Sequence, residues 1–113
     1  MTEVDIHCIP QFGADAAAVA VELETYLQRA DDVVPVLIEV EQPRLGLAEV
    51  LAILEVTSTG VDLTEKLIYF ISSRRGRGKV KDIEIEIDGQ RVSVGSLTPD
   101  QRTRLAAAIA QGT

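Results

Sequence analysis

The chain has 113 residues, 46% of them hydrophobic and 26% charged, and its formal net charge is −7 at pH 7. This length and composition predict a single globular domain over residues 1–113, with a core built mainly from Val, Ile, Leu and Ala. The negative charge argues against general affinity for nucleic acid or for an anionic membrane. A single cysteine excludes an internal disulfide, and there is neither a signal-peptide pattern nor an apolar run near the ~20 residues that span a bilayer. We therefore expect a cytoplasmic protein, or a domain that works beside other chains.

The first third of the sequence predicts a strand, a helix and a second strand. Residues 3–9 alternate between apolar and polar side chains, which is typical of a strand with one buried face. Residues 14–29 follow a 3.6-residue period, with Asp15 positioned to cap the helix. Residues 33–41 are rich in β-branched residues, and Pro35 is expected near the start of that strand or on an edge. Such a unit favours two parallel strands joined by a right-handed crossover.

The segment at 46–56 fits two interpretations, and a helix is favoured over a strand. A helix places Leu47, Val50, Leu51 and Leu54 on one face. A strand would place two glutamates, Glu49 and Glu55, on the same side as Leu51 and Ile53, which is a poor alternation of polar and apolar residues.

Residues 61–73 predict the helix on which the rest of the domain packs. Its apolar stripe consists of Leu63, Leu67, Phe70 and Ile71. A turn at residues 57–60 precedes it, and Asp62 and Glu65 have the spacing of a capping box. Gly76 is placed to end the helix in a left-handed conformation, and Arg74 and Arg75 lie at the negative end of its dipole.

Residues 82–94 predict a β-hairpin that turns at Asp88-Gly89, a pair suited to a type I′ turn. A two-residue loop sets the register, so that Ile87 faces Gln90 and Glu86 faces Arg91. We therefore expect a Glu86–Arg91 charge pair on the solvent face. The core face is expected to hold Ile83, Ile85, Val92 and Val94.

A C-terminal helix is predicted from Thr98-Pro99-Asp100-Gln101, which supplies an N-cap, a proline in the first turn and a capping-box glutamine. Its apolar side consists of Leu105, Ala106 and Ile109, and Gly112 is expected to stop it. All the elements together predict an α/β (α+β) two-layer sandwich in the order β-α-β-α-α-β-β-α. It would have about four strands, with the helices packed on one face.

The residue types that carry chemistry are few, and none forms a recognisable catalytic or metal-binding pattern. His7 is the only histidine and is expected to be an exposed strand residue, with Cys8 on the opposite face as a small buried hydrophobe. Glu84 and Glu86 share a strand face as a glycosidase pair might, but the arginine expected opposite favours a solvated face. The turn at 57–60 lacks the spacing of a phosphate-binding loop. We expect no catalytic residue, no metal and no cofactor.

One local feature stands out, a basic run that contains five of the chain's eleven Lys and Arg residues. Its members are Arg74, Arg75, Arg77, Lys79 and Lys81. The run is either a helix end followed by a solvated loop or a patch that binds an acidic protein surface or a phosphate. Binding of nucleic acid or nucleotide is less favoured, because no aromatic residue lies among the cations.

The order of elements resembles the bacterial effector-associated constant component family. The resemblance rests on the strand–helix–strand, the Pro43-Arg44-Leu45-Gly46 segment, the small-residue turn at 57–60, the helix that ends in Arg74-Arg75 and the hairpin with its glycine turn. It spans about residues 3–110. The family turn is usually richer in glycine, and its helix often has a tryptophan where this chain has Phe70. The family consists of small α/β domains that are encoded beside, or fused to, peptidases and other effectors of conflict systems.

The resemblance implies a non-enzymatic adaptor or regulatory component that couples a sensor to an effector protein. Residues 74–81 and the hairpin surface would then contact the partner. The rival expectation is a small ligand-binding or homodimerising α/β domain that pairs with its own copy through an exposed strand edge. An enzyme is the third option, because the sequence positions no pair of acid and base or of nucleophile and base.

Overall fold

The computed structural model describes residues 2–41, 48–57, 60–75, 77–87 and 89–111. Its elements in chain order are β1 (Thr2–Pro10), α1 (Ala16–Gln28), β2 (Val33–Glu41), β3 (Glu49–Val56), α2 (Gly60–Arg75), β4 (Val80–Ile87), β5 (Gln90–Ser93) and α3 (Pro99–Gln111). The predicted α/β class is confirmed. Within these ranges the sheet has five strands rather than about four, and the order is β-α-β-β-α-β-β-α.

The sheet is antiparallel throughout, with the strand order β2-β3-β1-β4-β5. β1 lies at the centre, and β2 forms one edge. β1 and β2 run in the same direction, as the strand–helix–strand pattern predicts, but they do not pair because β3 is inserted between them. The first six elements therefore form the split β-α-β-β-α-β arrangement of ferredoxin-like folds, followed by β5 and α3.

The prediction of a helix at 46–56 is wrong, because residues 49–56 form β3. Burial alternates along the whole strand, and Val50, Ala52, Leu54 and Val56 are fully buried. The mixed face with Glu49, Leu51, Ile53 and Glu55 counted against a strand in the sequence. This mixed face is the side of the sheet on which no described helix packs, so glutamates and half-buried apolar side chains can lie together there.

The core lies between the other face of the sheet and the three described helices. β1 contributes Val4, Ile6 and Cys8, and α2 contributes the predicted stripe of Leu63, Leu67, Phe70 and Ile71. Leu23 and Leu27 of α1 are also fully buried, as are the predicted Ile83 and Ile85 of β4. The packing of helices on one face is thus confirmed. Burial raises the pKa of the Cys8 thiol to about 12, which fits the prediction of a buried hydrophobe.

The predicted hairpin register is confirmed for the four residue pairs that β4 and β5 form, from Glu84 with Ser93 to Ile87 with Gln90. The backbone N–H of Val94 donates to the carbonyl of Ile83 at 2.8 Å, which extends the pairing by one step. Gly89 has a φ of +79°, the left-handed conformation that a type I′ turn requires. Asp88, the other turn residue, lies outside the described residues.

Two helix caps agree with the sequence prediction. The Asp15 carboxylate accepts a hydrogen bond from the N–H of Ala17 at 3.0 Å and starts α1. At α3 the capping box is reciprocal, because Thr98 accepts from the N–H of Gln101 at 3.2 Å while the Gln101 side chain accepts from the N–H of Thr98 at 2.9 Å. The predictions for Gly76, Gly112, the 43–46 segment and residues 58–59 of the turn fall outside the described residues.

β2 is an edge strand, and its proline lies where the sequence predicts it. The pairing of β2 with β3 shifts between Pro35 and Leu37, so the missing N–H of Pro35 coincides with an irregular step near the strand's start. No helix in the described part of the chain is long and apolar enough to cross a bilayer.

Candidate functional site

The basic run of the sequence is divided among three locations. Arg74 belongs to the last turn of α2, and the exposed Arg77 follows it in the loop. Lys79 donates to Glu22 of α1 at 2.9 Å. Lys81 lines a separate cavity of about 320 Å³ beside Phe12. The side chain of Arg75 is not described. The chain can turn between Arg77 and Lys79 because Gly78 adopts a φ of +69°.

A cleft of about 450 Å³ lies between the C-terminal halves of α1 and α2, and we call it the basic cleft. It is lined by Tyr26, Arg29, Ala30, Lys66, Tyr69, Ser73, Arg74 and Arg77. Four of these eight side chains are cations, and none is acidic. In a chain with a net charge of −7, this is a local reversal of sign.

Helix geometry brings these residues together. Tyr26, Arg29 and Ala30 lie three and four positions apart at the end of α1, so they share one side of that helix. Lys66, Tyr69, Ser73 and Arg74 repeat the same spacing along α2. Because two helices of the same layer face each other with these sides, residues 36 to 48 positions apart in the sequence line one cleft.

Arg74 is held in place by aromatic rings. Its guanidinium carbon lies 4.0 Å from the centroid of the Phe70 ring and 5.7 Å from that of Tyr26. Its Nη1 donates to the hydroxyl of Ser73 at 2.6 Å. Phe70 is fully buried, so it provides a fixed platform under the guanidinium. The position of this charge is therefore set by the core.

The tyrosines form one wall of the basic cleft. The rings of Tyr26 and Tyr69 are nearly parallel, with centroids 6.4 Å apart. The Tyr26 hydroxyl donates to the backbone carbonyl of Lys66 at 2.9 Å, which ties α1 to α2. Burial raises the pKa of Tyr26, although Lys66 opposes that shift, so the phenol stays neutral and adds no negative charge to the cleft.

The four cations of the cleft differ in whether a carboxylate neutralises their charge. Lys66 forms an ion pair with Asp32. In the part of the chain that is described, no carboxylate pairs with Arg29, Arg74 or Arg77. Arg29 caps α1 and Arg74 lies in the last turn of α2, positions where a cation offsets the helix dipole. That effect does not explain Arg77, which lies beyond the helix. Within the described ranges, three positive charges around one cavity thus have no carboxylate partner.

The basic run of the sequence contains only part of this site. It includes Arg74 and Arg77, but not Tyr26, Arg29, Lys66 or Tyr69. The spacing of these residues could have indicated the site, because the cleft residues of each helix are three or four positions apart on its polar side. What the sequence alone could not supply was the pairing of the two helices. The aromatic residues thought to be missing near the cations come from α1 and from the middle of α2.

A second polar group lies on the sheet face that no described helix covers, and we call it the sheet-face cluster. It consists of His7, Glu49, Glu84 and Arg91, one residue from each of β1, β3, β4 and β5. Arg91 donates to the Glu49 carboxylate at 2.9 and 3.4 Å and lies 3.5 Å from Glu84. The hydrogen bond to Glu49 raises the pKa of Arg91. Because β4 and β1 separate β5 from β3, the Arg91 side chain spans two strands.

Two sequence predictions are corrected by the sheet-face cluster. Arg91 forms its ion pairs with Glu49 and Glu84 rather than with Glu86, because β3 places Glu49 within reach. His7 is buried rather than exposed, since the Arg91–Glu49 bridge crosses the strand that carries it. Its Nδ1 lies 3.9 Å from Glu49, and neither ring nitrogen has a hydrogen-bond partner among the described residues.

The cluster does not assemble a metal site. Among the described residues, no group of three or more His, Cys, Asp or Glu side chains could hold a metal ion. The Cys8 side chain points into the core, whereas the side chain of His7, the residue before it in β1, lies on the opposite face. The arrangement therefore joins β5 to β3 by charge-assisted hydrogen bonds, and its chemistry is that of a structural ion-pair network.

Comparison with known proteins gives no relative from which a role could be transferred. No family model, no curated protein and no solved structure matches this chain. The split β-α-β-β-α-β topology alone does not define a function, because many unrelated activities share that plan.

Proposed function

We propose that this protein is a non-enzymatic adaptor of the cytoplasm that docks an acidic segment of a partner protein in the basic cleft. The observation that carries this proposal is a set of three arginines, Arg29, Arg74 and Arg77, which line one cavity of an acidic chain and pair with no carboxylate among the described residues. A surface of this kind attracts a negatively charged partner and repels a positive one.

The construction of the cleft supports binding rather than turnover. Its side chains comprise cations, two tyrosines, a serine and an alanine. The Ser73 hydroxyl donates to the carbonyl of Phe70 at 3.0 Å and accepts from Arg74. Among the described residues that line the cleft there is no histidine, aspartate or glutamate to activate that hydroxyl, and Lys66 is held in an ion pair with Asp32. Tyrosine and arginine are the residues that dominate binding energy at protein interfaces.

The partner follows from the family resemblance. Constant components of effector systems are expected to connect a sensor to a peptidase or another effector protein in bacterial conflict or defence. In that role, the basic cleft would receive an acidic stretch of the effector or sensor, and no cofactor would be required.

A charge-reversal experiment tests the cleft directly. The probe is a fluorescein-labelled heptapeptide of alternating Asp and Glu residues around a central serine, measured by fluorescence polarisation at low salt. Arg29→Glu combined with Arg77→Glu is expected to weaken binding at least about tenfold, because it reverses two of the three uncompensated charges. The matched control is Arg102→Glu with Arg104→Glu, on the exposed side of α3.

The control carries the same change in total charge. Each Arg→Glu substitution changes the charge by −2, so both double variants move from −7 to −11. Long-range repulsion is therefore equal, and any difference reflects the local site. Equal affinity of the two variants for the peptide would overturn the proposal. Recovery of the effector encoded beside this gene by the native chain and the α3 control, but not by the cleft variant, would support it.

The rival function, a homodimerising domain, is favoured by the edge strand β2. Four of its apolar side chains are exposed, Val34, Val36, Leu37 and Val40. An edge strand of nine residues with these exposed apolar side chains is able to pair with a second copy. Face-to-face packing is opposed by charge, because nine of the chain's 18 acidic residues lie on the sheet face that no described helix covers: Glu3, Asp5, Glu39, Glu41, Glu49, Glu55, Asp82, Glu84 and Glu86.

The mass in solution separates the two functions. A stable dimer whose dissociation is caused by Val36→Lys, at the exposed bulge of β2, would favour the homodimer. A monomer at micromolar concentration favours the adaptor.

A further inference from the structure

The charge of the basic cleft exceeds what a single carboxylate can compensate. Lys66 is already paired with Asp32, which leaves the guanidinium groups of Arg29, Arg74 and Arg77. A carboxylate brings one negative charge, whereas a phosphate monoester carries about −1.5 to −2 at pH 7. At a single position of the docked segment, a phosphate monoester thus compensates more of this charge than one carboxylate does.

The shape of the cations also suits phosphate. A guanidinium presents parallel N–H donors that match two oxygens of a phosphate, which an ammonium cannot do. Arg74 is fixed against Phe70 at 4.0 Å, so its orientation is set before any ligand arrives. Arg77 is exposed and follows the end of α2, where it is able to close on a group that has entered. Arg74 donates to Ser73 through Nη1 and its Nε is buried, so the exposed Arg29 and Arg77 would supply the bidentate contacts to a tetrahedral anion. The three arginines would then act as a clamp, with Arg74 as its fixed member.

The remaining lining provides room for the side chain that carries the phosphate. Tyr69 is 65% exposed, and its ring is nearly parallel to that of Tyr26 at 6.4 Å. These rings offer an apolar wall beside the cations. The volume of about 450 Å³ lies within the range of small-ligand pockets, so a phosphorylated side chain fits while the peptide main chain stays at the rim.

We infer that the basic cleft recognises a phosphate monoester on the docked segment of the partner, so that phosphorylation of the partner controls docking. This inference rests on the proposed function, because it specifies the acidic group that the same cleft would capture. Recognition of phosphorylated segments by arginine clusters is an established mode of peptide binding.

The experiment compares three versions of the acidic heptapeptide, with a central phosphoserine, a central glutamate or an unmodified serine. The phosphoserine peptide is expected to bind at least about tenfold more tightly than the glutamate peptide, because each additional charge-assisted hydrogen bond contributes about a factor of ten. Adenosine monophosphate is measured in parallel as a monoester without a peptide. Its binding is expected to be at least tenfold weaker than that of the phosphoserine peptide.

A conservative variant separates phosphate recognition from simple charge. Arg77→Lys keeps the positive charge but removes the fork, so the preference for phosphoserine over glutamate is expected to fall to about threefold or less. Binding of the phosphoserine peptide is expected to weaken more than binding of the glutamate peptide, because an ammonium keeps the charge but loses the paired donors. Arg104→Lys on α3 is the matched control and should leave the preference intact.

The peptide measurements distinguish failure of the phosphate assignment from failure of the adaptor function. Equal affinity for the phosphoserine and glutamate peptides would overturn the phosphate assignment and leave the adaptor function standing. Binding of adenosine monophosphate as tightly as the phosphoserine peptide would overturn the assignment to a phosphorylated protein segment. Failure of all three peptides to bind would overturn the inference together with the proposed function. The expected order, with loss of preference in Arg77→Lys alone, would support the inference.

Discussion

Truncation of Phe70 to alanine tests how the core and the basic cleft depend on each other. Phe70 is fully buried, and its ring lies 5.2 Å from that of Tyr26 and 4.0 Å from the guanidinium carbon of Arg74. Phe→Ala substitutions in cores cost about 3–5 kcal/mol, through lost transfer energy and a residual cavity. Loss of the cation–π contact adds up to ~1 kcal/mol. Since a small domain has only about 5–15 kcal/mol of stability, the variant is expected to be marginally folded.

Urea unfolding followed by far-ultraviolet circular dichroism measures this loss as a change in the midpoint at constant slope. Tyr69→Ala is the control, because it is the preceding aromatic residue of α2 but is 65% exposed. Its cost is expected to stay below ~1 kcal/mol, as for other surface substitutions. Similar losses in the two variants would refute the assignment of Phe70 to the core and of Tyr69 to the cleft wall.

Phe70→Leu extends the test to the platform under Arg74. This variant keeps an apolar side chain but removes the aromatic face, so it is expected to cost about 1–2 kcal/mol. In a double-mutant cycle with Arg74→Met, the coupling energy should be about 0.5–1 kcal/mol. A coupling energy of zero would show that the ring does not hold the guanidinium, and the clamp would then lose its fixed member.

Two further predictions concern β3 and β1. In β3, Ala52→Glu should lower the free energy of unfolding by more than ~3 kcal/mol in urea titrations, whereas Leu51→Glu should cost only about 1–2 kcal/mol, because Ala52 faces the core and Leu51 the other side. A helix would give the opposite ranking. In β1, the Cys8 thiol should resist iodoacetamide until the chain unfolds. Because the pKa of the Cys8 thiol is raised to about 12 in the folded state, the thiol of the unfolded chain loses its proton at a lower pH. The free energy of unfolding should therefore fall above pH ~9 by up to ~1.4 kcal/mol per pH unit. Cys8→Ala should remove that part of the slope, and an unchanged slope would contradict the assignment.

Local chemistry made the hairpin and the caps predictable. The register of β4 and β5 follows from the length of one loop, and the Thr98–Gln101 cap depends on residues three positions apart. Each of these features is decided within a dozen residues. Predicting the hairpin register and the helix cap therefore required no knowledge of how the strands pair in the sheet.

Features that depend on distant partners were not predictable in the same way. Glu49 and Glu55 made residues 49–56 look helical, because only the sheet reveals that their face has no described helix above it. Arg91 was matched to Glu86, its neighbour across the hairpin, yet β3 supplies Glu49 from 42 positions away. The basic cleft combines residues from two helices for the same reason. Its cations could be counted in the sequence, but their convergence required the packing of α1 against α2.

The central position of β1 has a consequence for the order in which the protein is made. Of the described strands, β1 is synthesised first and needs two neighbours, and the second of these, β4, ends only at residue 87. Until β4 has been synthesised, one edge of β1 has no partner strand, and Val4, Ile6 and Cys8 cannot be fully buried in the core. Glu3 and Asp5 on the opposite side carry charges that discourage premature association of nascent chains.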